Sequence, residues 1–484
     1  MRRSIFFLLI CLMMGQVTNS EDFSNPIRFQ GKETESRCSD AVFLRRTYLV
    51  MTGQLPAAGQ AQVFLESKKA DKRSLLIDEL LESEAYVKYM VMRWGDILRI
   101  KSEFPSNLWP NGVQAYNRWL YEKISSNTPY DVFVRELLLS QGSNYRSPAV
   151  NFYRAFLKRT PENIYQNTTL LFLGNRKFND QGYLCFSQIK YKTSKEWKEE
   201  IIYIDNQLKP VVKSVKINKN SAIPLTAGED WRKAYTDWLT DKQNRRFAAV
   251  MANRMWFWVF GKGIVQEPDD WGAHNPPSDP ALMNLLTDRF IDSGYDMKSF
   301  FKLILNSDLY QSESYTGSLF ASRRMPAEVL VDALADMTGI SDEYRSRVPE
   351  PFTIYPQGTR AVDLGDATVS STALELFGRV SRDISLESQR SDALTSRQLL
   401  YLMNSSELEE RIRKSPVLND ICKRERNIPG ICREITLSTL SRFPTQEEIA
   451  LYRKYAETNQ LSLRNLASEI LWTQINSIEF LYIH

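Results

Sequence analysis

The sequence predicts a mainly α, multi-helix, two-domain protein with a small β insert between the domains. Three observations carry this. Long runs place apolar residues at three- and four-residue spacing. Several of those runs open on Thr, Asp or Pro and close on Gly. One central stretch turns instead to β-branched and aromatic residues with partial alternation. A chain of 484 residues exceeds what one hydrophobic core normally sustains, so more than one domain is expected. The expected division is a signal peptide at 1–20, a polar lead-in at 21–37 and a helical domain at 38–174. A β-rich insert at 175–228 and a second helical domain at 229–484 follow.

The elements run as follows. Residues 71–94 (DKRSLLIDELLESEAYVKYMVMRW) have helical apolar spacing. In 127–142, Thr128 is placed to cap, Pro129 and Asp131 suit a first turn, and Gly142 can stop the helix. YLCFSQIKY (183–191), EEIIYID (199–205) and KPVVKSVKIN (209–218) read as two or three short strands. The run 245–263 gives a wide apolar face through Phe247, Val250, Met251, Met255, Trp258 and Val259, ended by Gly261 and Gly263. Helices are expected over 280–296, 297–307 and 325–339, the last between Pro326 and Gly339. Thr445 and Glu448 have capping-box spacing ahead of a helix over 444–457.

Hydrophobic content of 43% and charged content of 25% are ordinary for a globular chain, and a formal charge of +4 gives no electrostatic case for nucleic acid. Met1-Arg2-Arg3, the apolar run Ile5 to Met14 and the small residues Thr18 to Ser20 form a cleavable secretory signal. That run is shorter than the roughly 20 residues a membrane span needs. No later stretch is apolar enough to span, so export to the periplasm, cell surface or medium is expected. Four cysteines then remain: Cys38, Cys185, Cys422 and Cys432. An even number in an exported chain suggests disulfides, with Cys422–Cys432 across the Pro429-Gly430 turn and Cys38–Cys185 the remaining pair; buried thiols are the alternative. Only 2 His are present, His274 and His484, which excludes His-rich zinc sites and bis-His haem.

Several blocks, taken together, resemble a family. AVFLRRTYLVMTGQLPAAGQAQVFL (41–65) and ENIYQNTTLLFLG (162–174) resemble its first domain. The long block 253–311, RRMPAEVLVDALADMTG (323–339), FGRVSRDISLESQRSDALTSRQLLYLMNS (377–405) and LWTQINSIEFLYIH (471–484) follow in the same order. The chain is similar to planctomycete-type, cytochrome-c-associated secreted proteins with two uncharacterised domains in tandem. The resemblance implies a place beside secreted sulfatase-like proteins in bacteria that degrade complex polysaccharides; it implies no mechanism. Many such proteins carry a Cys-x-x-Cys-His-like motif after the first block and a Cys-x-Cys pair in the second domain. Here Cys185 has no second Cys or His nearby, and the second region reads Leu386-Glu387-Ser388-Gln389-Arg390-Ser391. A c-type haem needs two thioether cysteines and an axial His, so no haem or resident metal is expected.

Four constellations could carry chemistry. Asp269 and Asp270, with Trp271, His274 and Asn275, sit in a proline-rich loop. They suit a cation such as Ca²⁺ or a sugar stacked on Trp271, or else a rigid connector. Glu328 and Asp332 lie four apart on one helix and could serve as acid and base in glycoside cleavage, or form a salt-bridged surface. Arg379, Arg382, Glu387 and Arg390 suit a sulfate or carboxylate ligand, or a buried ion-pair network fixing the domains. Asn253 and Arg254 with Trp256 and Trp258 could line a cleft or fill a core.

The expectation is a non-catalytic extracytoplasmic protein that binds or assembles in polysaccharide or sulfated-glycan processing. Its expected partners are sulfatase-like or polysaccharide-processing proteins and a glycan. The alternative is a carboxylate-dependent hydrolase using Asp269, Asp270, Glu328 and Asp332. A weaker alternative is a redox accessory that has lost its haem or metal.

Overall fold

Local capping fixes where most helices begin and end. The computed structural model describes residues 37–176, 181–217, 221–313, 321–348 and 355–483. The signal segment, nearly all of the lead-in and His484 lie outside these residues. The run expected as one helix over 71–94 is two, Lys72–Glu82 and Glu84–Ile97. Ser83 divides them because its hydroxyl accepts from Tyr86 N–H at 3.1 Å, which starts a new helix. The helix Tyr130–Leu139 begins one residue past Pro129 and has no side-chain cap; the Thr128 hydroxyl pairs with Ser126 at 2.9 Å instead. The helix Arg245–Phe260 stops where Gly261 enters the left-handed region at φ 72. Pro280–Asp292 and Met297–Leu305 are capped by Asp279 and Asp296, whose carboxylates accept from Leu282 and Ser299 N–H at 2.9 Å. The capping box of Thr445 and Glu448 opens the helix Gln446–Thr458.

The β content is small, as expected. Ile189–Thr193 pairs antiparallel with Glu200–Ile204, and the short strand Gly142–Ser143 adds to the other edge of Glu200–Ile204. Ser214–Lys216 pairs with Ala222–Pro224. The first part of the segment expected as a strand over 183–191 is instead a 3₁₀ turn, Gly182–Phe186, with Cys185 and Phe186 buried.

The C-terminal helices return to the start of the chain. The helix Ile428–Leu440 packs on Leu463–Ile475 and also on Ala58–Glu66. Arg45, buried on the helix Asp40–Thr52, donates to Thr439 O and Phe480 O, each at 2.7 Å. Further in, Trp94 meets Phe133 at 5.1 Å and Trp258 edge-on at 6.0 Å, and Tyr130 stacks on Phe247 at 4.7 Å. These rings join both halves of the chain in one cluster of buried side chains, which agrees with the aromatic-rich composition.

The disulfide expectation is corrected. No disulfide joins Cys38, Cys185, Cys422 or Cys432. Cys432 is turned into the core of its helix packing, while the Cys422 sulfur faces Leu463 O at 3.8 Å on a different helix. The Cys38 sulfur lies 3.9 Å from Arg73 Nη1, and Cys185 is buried in the 3₁₀ turn. Each thiol is placed by packing on a different neighbour, and burial pushes the Cys432 thiol up to about 11, far from a reactive thiolate.

Candidate functional site

The helix Ala327–Thr338 opens on Pro326 and turns Glu328 and Asp332 inward, where both are buried. Buried carboxylates need partners. For Glu328 these are Arg390, with Nη1 2.9 Å from Oε2 and Nη2 3.2 Å from Oε1, and Arg379 at 3.7 Å. Burial works to raise the Glu328 carboxyl, but Arg390 and then Arg379 outweigh it and hold it at about 2. Asp332 accepts from the backbone N–H of Ala361 at 2.6 Å and Val362 at 3.1 Å, with Arg360 at 3.6 Å. There burial prevails over Arg360 and the two N–H groups, and the carboxyl is pushed up to about 7. The two residues share a helix but not an environment. They are not a solvated surface pair, and each has its own partners.

The arginines expected as an anion site are spent on the protein itself. Asp96, on the helix Glu84–Ile97, receives Arg382 Nε at 2.9 Å and Arg390 Nη2 at 2.7 Å. Arg382 also donates to Gly365 O at 2.7 Å, Ile100 O at 3.2 Å and Met92 O at 3.3 Å. Its guanidinium lies against Gly95, where a Cβ would stand 2.9 Å from Arg382 Cζ, so only glycine permits this approach. Arg379 donates to Leu364 O and Asp366 O at 3.1 and 3.2 Å.

The network continues through Asp269, which is also buried. It accepts from Arg254 Nη2 at 3.0 Å and from the backbone N–H of Glu387 at 2.6 Å. The Glu387 carboxylate accepts from Trp258 Nε1 at 2.7 Å and lies 3.7 Å from Arg254. Burial, then the charge of Asp269, pushes Glu387 up. The Asn253 side chain closes on Val265, donating to its O at 3.1 Å and accepting from its N–H at 3.0 Å. Asn253, Arg254, Trp256 and Trp258 are all buried, which suits the reading that they fill a core. Breaking one member of such a buried network typically costs about 3–5 kcal/mol, because the other charge is left unpaired.

The loop 264–280 gives the clearest departure from expectation. Trp271 is only 9% exposed, and the Arg246 guanidinium lies 4.0 Å from its ring centroid. Its N–H donates to Gly174 O at 2.8 Å. Trp271 therefore presents no free face to a sugar. Asn275 spends its amide on Gln266 O and Asp270 O. Asp270 lies 3.4 Å from His274 Nε2 and 3.6 Å from Arg176. The His274 side chain is 69% exposed. Among the described residues, no group of three or more His, Cys, Asp or Glu is arranged to hold a metal.

The structure brings together a different surface that the sequence did not single out. Trp109 precedes the helix Pro110–Ser125, and Trp197 stands at the turn between the strands Ile189–Thr193 and Glu200–Ile204. Their rings meet edge-on at 5.5 Å. The Lys198 ammonium lies 4.5 Å from the Trp109 ring and 5.7 Å from that of Trp197. Trp197 is 56% exposed. Buried and half-buried groups pin the turn. Asn144 accepts from Glu200 N–H at 2.9 Å, Tyr145 donates to Trp197 O at 3.1 Å, and Ser194 donates to Glu199 at 2.6 Å. Trp109 has φ 69 and ψ 151, a region that normally admits glycine and costs on the order of 1–3 kcal/mol. Among the described residues its indole Nε1 finds no hydrogen-bond partner, although it is shielded from solvent. A strained, unsatisfied tryptophan beside an exposed one is a feature that packing alone does not require. The only sequence signal is the local Lys-Glu-Trp-Lys at 195–198, and nothing in it points to Trp109.

Two domains of distinct family models define the class of chain. Residues 24–181 match PSCyt2, described as Protein of unknown function (DUF1549), and residues 231–456 match PSD1, described as Protein of unknown function (DUF1553). The two lie in tandem, the arrangement of the planctomycete cytochrome-c-associated two-domain family. No curated protein and no solved structure matches the chain. The buried charge network crosses between the matched segments, since Asp96 belongs to the first and Arg382 and Arg390 to the second.

Proposed function

We propose that this is a non-catalytic binding or assembly protein, exported to the periplasm, cell surface or medium and associated with polysaccharide or sulfated-glycan processing beside secreted sulfatase-like proteins. The observation that carries the reading is the surface of Trp109, Trp197 and Lys198. An exposed indole offers a flat apolar face to the C–H face of a sugar ring, and a neighbouring ammonium offers charge to a hydroxyl, carboxylate or sulfate. The rigid turn and the strained Trp109 backbone hold that face in advance of binding, which lowers the ordering cost.

The buried network supports the non-catalytic side of the reading. Glu328, Asp332 and Asp269, three carboxylates that a hydrolase would need, are occupied by Arg390, by the Ala361–Val362 backbone and by Arg254. The test is calorimetric titration with neutral and sulfated oligosaccharides, alongside assay of released reducing ends. Saturable binding that Trp197→Ala abolishes, without product release, is the expected result. Product release that Asp270→Ala removes would overturn it in favour of a hydrolase.

A further inference from the structure

A second surface carries a charge imbalance of a different kind. The loop between the helices Ala58–Glu66 and Lys72–Glu82 lies beside the start of Asp40–Thr52 and borders an open cavity of about 340 Å³. Its wall includes Arg37, Lys68, Lys69, Lys72 and Arg73, against the single carboxylate of Asp40. That carboxylate is already committed, with Lys72 Nζ at 2.7 Å and Arg73 Nη2 at 2.8 Å. Lys72 is further fixed by Phe64 O at 3.0 Å and Ser67 O at 2.8 Å, and Arg73 by Cys38 O at 2.6 Å. The floor is thus rigid, and one carboxylate between two cations leaves it with a net positive charge.

The rim is not neutralised. Arg37, Lys68 and Lys69 are exposed, and among the described residues none has a carboxylate within ion-pair distance. Three cations gathered on one concave wall repel one another, and a bound anion removes that repulsion while gaining several charge-assisted hydrogen bonds. The cavity is larger than an inorganic anion requires, so it leaves space for the body of a ligand that bears the anionic group.

We propose that this cavity binds a tetrahedral oxyanion, a sulfate or phosphate ester group of a larger ligand, through Arg37, Lys68 and Lys69. The site is separate from the Trp109–Trp197 surface and does not depend on the glycan reading. If that reading also holds, a sulfate ester is the natural occupant.

The experiment is titration calorimetry of the full chain with inorganic sulfate and with inorganic phosphate, at constant ionic strength set by chloride. Wild type is expected to bind at least one of them saturably. The double variant Lys68→Glu/Lys69→Glu should bind at least tenfold more weakly, while Lys233→Glu, a surface change in a distant helix, should match wild type. Circular dichroism of the double variant, expected to be unchanged, separates lost binding from lost fold. A second arm compares glucose 6-sulfate, glucose 6-phosphate and glucose, which distinguishes the two ester sources. Heats that do not saturate, or binding that chloride replaces equally, would reduce the effect to general screening and overturn the proposal. Undiminished binding by a folded double variant would also overturn it. Neither result would bear on binding of neutral sugar at Trp197.

Discussion

Arg390 grips Glu328 with both arms of its guanidinium, Nη1 at 2.9 Å and Nη2 at 3.2 Å, and turns the same group 2.7 Å from Asp96. One side chain thereby ties the helix Ala327–Thr338 to the helix Glu84–Ile97 through the turn Glu387–Gln389 that precedes it. Arg390→Met should lower unfolding stability by about 3–5 kcal/mol, because the buried Glu328 and the half-buried Asp96 lose their common partner. Chemical unfolding followed by fluorescence measures this, and a loss below about 1 kcal/mol would show that the network contributes little.

The Glu328 carboxyl gives a pH signature. Its folded value of about 2 lies below its ordinary 4.5, so its contribution is present above 4.5 and lost as pH falls toward 2. A shift of this size corresponds to roughly 3 kcal/mol. Urea midpoints should fall steeply for wild type as pH is lowered from 6 to 2. Glu328→Gln, though less stable at neutral pH, should fall by visibly less.

Asp332 should behave in the opposite sense. Its folded value of about 7 lies above its ordinary 3.8. The protonated form is thus favoured in the fold, and the associated stability is full below 3.8 and lost as pH rises through 7. Asp332→Asn keeps the shape and removes the titration. The variant is expected to be flat between pH 4 and 8 at this site, so the wild-type-minus-variant stability difference should decline across that range. A difference that stays constant would mean that Ala361 and Val362 N–H hold the group ionised throughout.

Gly95 tests the close approach of Arg382. Gly95→Ala would place a methyl 2.9 Å from the guanidinium carbon, and the rigid helix gives it nowhere to go. The expected destabilisation is about 1–3 kcal/mol, against the gain that Gly→Ala usually brings inside a helix. Thermal unfolding decides the sign.

Trp197→Ala should separate binding from stability. The side chain is more than half exposed, so unfolding should move by no more than about 0.5 kcal/mol. Sugar affinity, read by titration, should fall at least tenfold. A large stability loss with unchanged affinity would make the aromatic pair a packing device.

The helical character and most helix ends are legible in the amino-acid order alone. Those signals are local: Gly261 and Gly339 in left-handed conformation, Asp279 and Asp296 as caps, and Thr445 with Glu448 as a box. Each acts within one turn of the residue that carries it, so periodicity and composition make it visible. The break at Ser83 was also local, but a continuous apolar stripe on both sides hid it.

The surroundings of the charged and aromatic residues, by contrast, emerge from long-range packing. Glu328 and Asp332 share a helical face, and the side on which that face lies depends on Arg390, sixty-two residues away, and on the backbone at Ala361. Trp271 looks like a sugar platform until Arg246 covers it, and Trp197 looks unremarkable until the fold sets Trp109 against it. The Cys422 and Cys432 spacing suggested a bridge, but packing points one thiol into the core and the other toward Leu463. The physical reason is common to all of them. Burial and partnership are set by contacts between segments distant in sequence, and a charge or an indole changes meaning according to what the fold brings against it.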